Sequence, residues 1–118
     1  MLKIATKFAP LRHFVETAAQ AGFEHAEIFL NAEYASDWEQ IAKLAGEFPL
    51  DYALHFPNRG DLEEQTLANI VRLYQALNCR AMVIHEPMHR RYQERLLGLD
   101  SSIRLAVENH YLRPDEIE

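Results

Sequence analysis

The chain has 118 residues, a formal net charge of −6 and a single cysteine, Cys79. This length predicts one domain, residues 1–118, and the acidic balance disfavours a module that binds nucleic acid through a basic surface. One cysteine excludes an internal disulfide and fits a reducing cytoplasm, where we expect Cys79 to be a small buried apolar residue. No apolar stretch reaches the roughly 18–20 residues of a transmembrane helix. We therefore expect a soluble, cytoplasmic protein without a membrane partner.

Short apolar stretches predict five buried strands, and helical patterns fill most of the sequence between them. In chain order the predicted strands are Leu2–Phe8, His25–Leu30, Leu50–Phe56, Ala81–His85 and Ile103–Glu108. The helix signals, also in chain order, are Pro10 and Gly22 around the first helix, capping boxes formed by Ser36 with Glu39 and by Asp61 with Glu64, and a short periodic run over Tyr92–Leu99.

Strands that alternate with helices in units of about 25 residues predict a parallel α/β sheet. The sequence "KFAPLR" stands where a dinucleotide-binding fold would have its glycine-rich loop, so that fold is disfavoured. Alternate residues of the predicted strands are smaller and more polar on one face, as expected if that face lines the inside of a barrel. The sequence thus predicts part of a (β/α)8 TIM barrel with about five parallel strands, and an open doubly wound sheet is the alternative.

Three candidate ligands end predicted strands and point, by residue parity, to the same face: His55, His85 and Glu108. Because neighbouring parallel strands lie about 4.8 Å apart, two imidazoles and a carboxylate could surround one divalent ion. Two histidines and a glutamate form a known catalytic zinc set, and added oxygen ligands would suit Mn²⁺, Mg²⁺ or Co²⁺. The structural alternative is that each is an ordinary hydrogen-bonded or solvated side chain.

Other polar residues near these strand ends have less defined roles. Glu27 lies deeper on the second predicted strand, where a buried acid needs a partner, and Lys7 is one possibility, so we expect a structural role. Asn109 and His110 follow Glu108 and could contact substrate or satisfy the loop. The remaining histidines show no such alignment and are predicted to be structural: His13, His25 and His89.

The order of these short motifs resembles the xylose isomerase-like TIM-barrel superfamily, which includes sugar-phosphate isomerases and epimerases and endonuclease IV. The motifs are "AEIF", "HFP", "VIH" and "VEN", ending the second to fifth predicted strands. The resemblance covers essentially the whole chain but only five of the eight βα units. It implies that Glu108 is a metal ligand and a catalytic residue, and that His55 and His85 bind metal or substrate.

The resemblance also implies a reaction and favours one branch of the superfamily. A divalent ion would polarise a sugar carbonyl, and two glutamates, one after the fifth strand and one after the eighth, would move a proton through an enediolate. Glu108 would be the first of these, and the second has no counterpart here. The bulky "ENHYLRP" and the "HFPN" turn favour a sugar or sugar-phosphate substrate over DNA. An endonuclease IV-like phosphodiesterase of DNA repair is the alternative.

The last residues, "RPDEIE", are typical of a helix start, with proline in the first turn followed by acids. A barrel that ends there would leave open edges at its first and fifth strands. We therefore expect the N-terminal portion of a barrel, inactive by itself, that pairs with a C-terminal half or with a second copy of itself. A non-catalytic half-barrel module is a further alternative.

Overall fold

The computed structural model describes residues 5–108, which form one parallel sheet alternating with helices. The strands are β1 (Ala5–Phe8), β2 (His25–Phe29), β3 (Asp51–His55), β4 (Met82–His85) and β5 (Leu105–Glu108). The helices are α1 (Arg12–Gln20), α2 (Ala32–Ser36), α3 (Trp38–Gly46), α4 (Glu64–Ala76) and α5 (Glu86–Leu99). The predicted α/β fold with five parallel strands is confirmed. No helix within residues 5–108 is long and apolar enough to cross a bilayer.

The strands pair in sequence order, β1-β2-β3-β4-β5. A doubly wound sheet needs a point at which the strand order reverses, and the sheet formed by residues 5–108 has none, so the described part of the chain disagrees with that alternative. Sequential parallel pairing is the topology of a barrel wall, and the structure is consistent with a partial barrel. Within residues 5–108, β1 and β5 are the edge strands.

The two faces of the sheet differ as their residue pattern predicts. One face packs against the helices and supplies the main core, with Ala26, Ile28, Leu30, Tyr52, Leu54, Phe56, Met82 and Ile84. Helices α4 and α5 cover it with apolar residues at helical spacing: Leu67, Ile70, Leu73, Met88, Tyr92 and Leu96. The opposite face carries Glu27, Ala53, His55, Val83 and His85, so the functional groups lie on the side away from the helices.

The helix start predicted at Ser36 differs from the observed one because nearby residues make other hydrogen bonds. The capping box of Ser36 is not formed: Asp37 precedes α3, and the Ser36 hydroxyl closes α2 by donating to the Glu33 carbonyl at 2.6 Å. The additional helix α2 begins after Asn31, whose side-chain oxygen accepts from the Tyr34 N–H at 2.7 Å. The unpredicted α2 therefore has a side-chain cap, whereas the predicted box does not form.

Exposed charge pairs link α5 to the start of α4 and the residues just before it, in place of the second predicted capping box. Glu63 is the N-cap of α4, while Asp61 pairs with Arg91 and Glu64 pairs with Arg95. Helix α5 begins at Glu86, six residues before the predicted run, because the proline after Glu86 suits the first turn.

The core contains two weak acids whose ionisation is suppressed. Burial raises the pKa of the Cys79 thiol from 9.0 to about 12. Burial, and then the nearby Cys79, raises the pKa of the Tyr52 hydroxyl from 10.0 to about 12. The Tyr52 hydroxyl donates to the Ala45 carbonyl at 2.9 Å, which ties β3 to α3. The prediction of Cys79 as a small buried residue is confirmed.

We expect the free energy of unfolding to fall as the pH rises above about 9. The pKa values of Tyr52 and Cys79 are higher in the folded protein than in the unfolded chain. Each group therefore contributes fully to the free energy of unfolding at pH values below its unfolded pKa, and this contribution is lost as the pH rises to about 12. Cys79→Ala should flatten this decline, by at most about 1.4 kcal/mol per pH unit. Urea unfolding of both proteins at a series of alkaline pH values measures the slopes, and identical slopes would contradict the assignment.

Candidate functional site

The structure brings the three predicted ligands together at the carboxyl edge of the sheet. His55 ends β3, His85 ends β4 and Glu108 ends β5, and in the β4–β5 register His85 lies directly opposite Glu108. One ligand atom from each residue lies within 4.8 Å of the others, so the group could in principle hold a metal ion. The predicted convergence of these side chains is thus observed.

His85 and Glu108 form the accessible part of the site. The distance from His85 Nε2 to Glu108 Oε1 is 2.8 Å, and half of the Glu108 side chain is exposed. The His85 ring stands nearly edge-on to the His55 ring, with centroids 5.0 Å apart and planes at 76°. A solute that approaches the carboxyl edge of the sheet can therefore reach Glu108 before it reaches the buried imidazole.

His55 is completely buried and has a partner at each ring nitrogen. Its Nδ1 lies 2.6 Å from Glu27 Oε2, and its Nε2 lies 2.9 Å from Asn58 Oδ1. The partner of Glu27 is therefore His55, and the possible pair with Lys7 does not form among residues 5–108. An ionised carboxylate can only accept a hydrogen bond, so a contact with ionised Glu27 requires the proton on Nδ1 of His55.

The role of Asn58 depends on whether Nε2, the second ring nitrogen of His55, carries a proton. If Nε2 also carries a proton, the imidazolium donates to the Asn58 oxygen, and the Glu27 carboxylate compensates its charge. If the ring is neutral, a half-turn of the Asn58 amide lets its NH₂ donate to the Nε2 lone pair. Nδ1 is fixed by Glu27 in both cases, and Nε2 is the nitrogen that can change partner.

A cleft of about 670 Å³ opens beside His85. We call it the β2–β3 cleft, because it lies between the segments that follow those strands, and its lining is Phe29, Leu30, Asn31, Ala32, Pro57, Asn58, Arg59, Gly60, Asp61, Leu62 and His85. This volume is in the range of small-molecule sites. The sequence had indicated neither this cleft nor a role for Asn58, because the loop that shapes both has no periodic signal.

The segment His89–Arg95, "HRRYQER", contains three arginines, and each of them pairs with an acid in the fold. Arg90 pairs with Glu86 on the same helix, whereas Arg91 and Arg95 reach the start of α4. Charges paired in this way present less positive potential to a polyanion than the sequence alone indicates. The predicted contributions of Asn109 and His110 lie outside the described residues.

Comparisons of the chain with protein-family models, with curated proteins and with solved structures found no match.

Substitution of Glu27 by glutamine should change the protonation pattern of the His55 ring. Loss of the carboxylate removes a charge-assisted hydrogen bond, and we expect a loss of about 1.5–3 kcal/mol in unfolding free energy. Histidine side-chain ¹⁵N NMR should show Nδ1 protonated in the parent protein and a shifted signal in Glu27→Gln. Glu24→Gln, on an exposed residue just before β2, is the control. Unchanged His55 signals in Glu27→Gln would show that this contact does not fix the ring.

Proposed function

We propose that this chain carries the metal-binding part of a divalent-metal-dependent sugar or sugar-phosphate isomerase or epimerase. The observation that carries the proposal is the convergence of His55, His85 and Glu108 at the carboxyl edge of a parallel sheet, next to the β2–β3 cleft. Barrel enzymes use this edge for their active sites. The resemblance of the strand-end motifs to the xylose isomerase-like superfamily supports the sugar chemistry.

The donor set fits a divalent ion. Ligands at about 2.0–2.2 Å from one ion lie roughly 3–3.5 Å apart, which is close to the 2.8 Å between His85 and Glu108. The third donor would be His55 Nε2, since Nδ1 is held by Glu27. Small side-chain rotations and release of Asn58 would complete the set, because the ligand atoms spread over as much as 4.8 Å. Imidazole and carboxylate donors are compatible with Zn²⁺, Co²⁺, Mn²⁺ or Mg²⁺ with added oxygen ligands.

The surrounding residues suit proton transfer next to a carbonyl group. A divalent ion at this position would supply the positive charge that polarises a carbonyl and acidifies the neighbouring C–H. Glu108 is half exposed at the edge of the site, where its carboxylate can exchange a proton with a bound solute. Glu27 would keep the His55 ring in one orientation. The β2–β3 cleft would hold the rest of the substrate.

A small polar substrate agrees better with these surfaces than a duplex does. The net charge is −6, and the arginines of the segment His89–Arg95 are paired with acids. The buried Cys79 fits a reducing compartment, so we place the protein in the cytoplasm in this proposal. Open edges at β1 and β5 would allow pairing with further βα units or with a second copy.

Calorimetric titration with Zn²⁺, Co²⁺ and Mn²⁺ tests the site. We expect binding of one ion per chain and at least about tenfold weaker binding by Glu108→Gln, because a neutral amide is a poorer ligand than a carboxylate. Affinity should fall at acid pH, where protons compete for the imidazoles. The matched control is Glu94→Gln, an exposed residue of α5 away from the site.

Substrate binding should depend on the same ion. A linear polyol such as sorbitol is expected to bind more tightly when the metal is present, and Glu108→Gln should abolish the difference. Equal metal affinity in the parent protein and Glu108→Gln would remove Glu108 from the site. Metal binding without any effect on polyol binding would leave a metal site but argue against the sugar chemistry.

A further inference from the structure

We propose that Arg59 forms an anion-binding subsite in the β2–β3 cleft and takes the phosphate or carboxylate end of the substrate. The inference rests on the proposed function, because it assigns the second end of a molecule whose carbonyl end lies at His55, His85 and Glu108. Arg59 and His85 line the same cleft, so one small molecule could contact both. The cleft is much larger than an ion requires, which leaves room for such a molecule.

The loop that carries Arg59 is fixed on both sides of it. On one side, the Asn58 side chain contacts the buried His55 ring at 2.9 Å. On the other side, the buried Tyr92 hydroxyl accepts from the Leu62 N–H at 2.7 Å and donates to the Gly60 carbonyl at 3.3 Å. Arg59 therefore extends from a backbone that is ordered before a ligand arrives, which lowers the entropy lost on binding.

Tyr92 is itself buried, and its ring packs against Phe56 with the ring centres 5.7 Å apart. The guanidinium groups of Arg91 and Arg95 lie 5.3 and 5.1 Å from the centre of its ring. Gly60 has φ +106°, a backbone conformation that residues with a side chain rarely adopt, so the turn after Arg59 requires glycine. These contacts stabilise one shape of the loop.

The charges near Arg59 leave its guanidinium available. Asp61 also lines the cleft, but it is paired with Arg91. Glu64, at the start of α4, is paired with Arg95. Arg59 forms no ion pair with any other residue between 5 and 108. A guanidinium group in this situation can bind a phosphate or carboxylate through two parallel hydrogen bonds, and the Asn31 and Asn58 amides that share the cleft can add further donors.

The two ends of the site have opposite character, which gives a bound substrate a direction. When no metal is bound, the half-exposed Glu108 carboxylate beside His85 disfavours an anionic group at that end. Arg59 attracts it at the other end. A phosphorylated or acidic sugar would thus place its charged terminus at Arg59 and its carbonyl and hydroxyl groups toward His85 and Glu108.

The test is calorimetric titration of the full chain, without added metal and with a chelator, using ribose 5-phosphate, ribonate and ribose. Arg59→Gln is expected to weaken binding of the better anionic ligand about tenfold or more, because it removes a charge-assisted bidentate contact. Arg59→Lys should lie in between, since it keeps the charge but loses the planar fork. Arg72→Gln, on an exposed arginine of α4 outside the cleft, is the matched control and should stay within about twofold.

The outcomes separate the possible anions and the two proposals. Tighter binding of ribose 5-phosphate identifies a phosphate subsite, and tighter binding of ribonate identifies a carboxylate subsite, provided that Arg59→Gln abolishes the preference. Equal weakening in Arg72→Gln, no change in Arg59→Gln, or no anion binding at all would overturn the subsite. Because no metal is present, loss of the Glu108-dependent metal site leaves this result unaffected, so failure of either proposal can be recognised separately.

Discussion

The parallel pairing of neighbouring strands in sequence order determines where the candidate ligands at the strand ends lie. Parallel strands end at the same edge of a sheet, and their helices cover the same face when the strands follow one another in order. Every second residue of each strand therefore points toward the helices and packs in the core. Residues of the other parity are left to face the open side, where His55, His85 and Glu108 meet at the strand ends.

Within this frame the site consists of two carboxylate–imidazole pairs with different surroundings. The Glu27–His55 pair is internal, with a completely buried imidazole, whereas Glu108 of the second pair is half exposed. Removing one partner of such a buried pair destabilises the fold, because the remaining polar group stays buried without a partner. The inner pair is thus suited to holding geometry, and the outer pair to contacting solutes.

Much of this arrangement could be predicted from residue parity. The apolar alternation of each strand identifies its core face, and the predicted starts of β2 and β3 are within one residue of the observed ones. The same parity assigned His55 and His85 to one face. Strand-end position then predicted that Glu108 would join them, because a parallel sheet aligns its carboxyl ends.

The partner of Glu27 required the register between strands, which the sequence does not contain. Lys7 lies opposite Glu27 in β1, yet Glu27 contacts His55 on its other side. Glu27 is directly opposite Ala53 in β3, and His55 lies two residues further along that strand. A small side chain at Ala53 leaves room for the diagonal contact.

Loop contacts and long-range ion pairs were also beyond the sequence patterns. The Asn58 contact depends on the path of the chain after β3, where no periodicity exists. The expected capping box of Asp61 and Glu64 failed because two arginines of α5 offer opposite charges to the same carboxylates. A local pattern can predict a cap only when no distant group competes for its side chains.

The contact between Asn58 and the buried nitrogen of His55 has a kinetic consequence. An ion could use this nitrogen only after the Asn58 amide had moved off it, so the Asn58 side chain, and not the loop backbone, would act as a gate. At high ion concentration the observed association rate would then level off at the opening rate of that gate, instead of growing in proportion to concentration. Dissociation would not be slowed in the same way, because the amide is already displaced while an ion occupies the nitrogen. The gate would therefore lower the association rate and the affinity together.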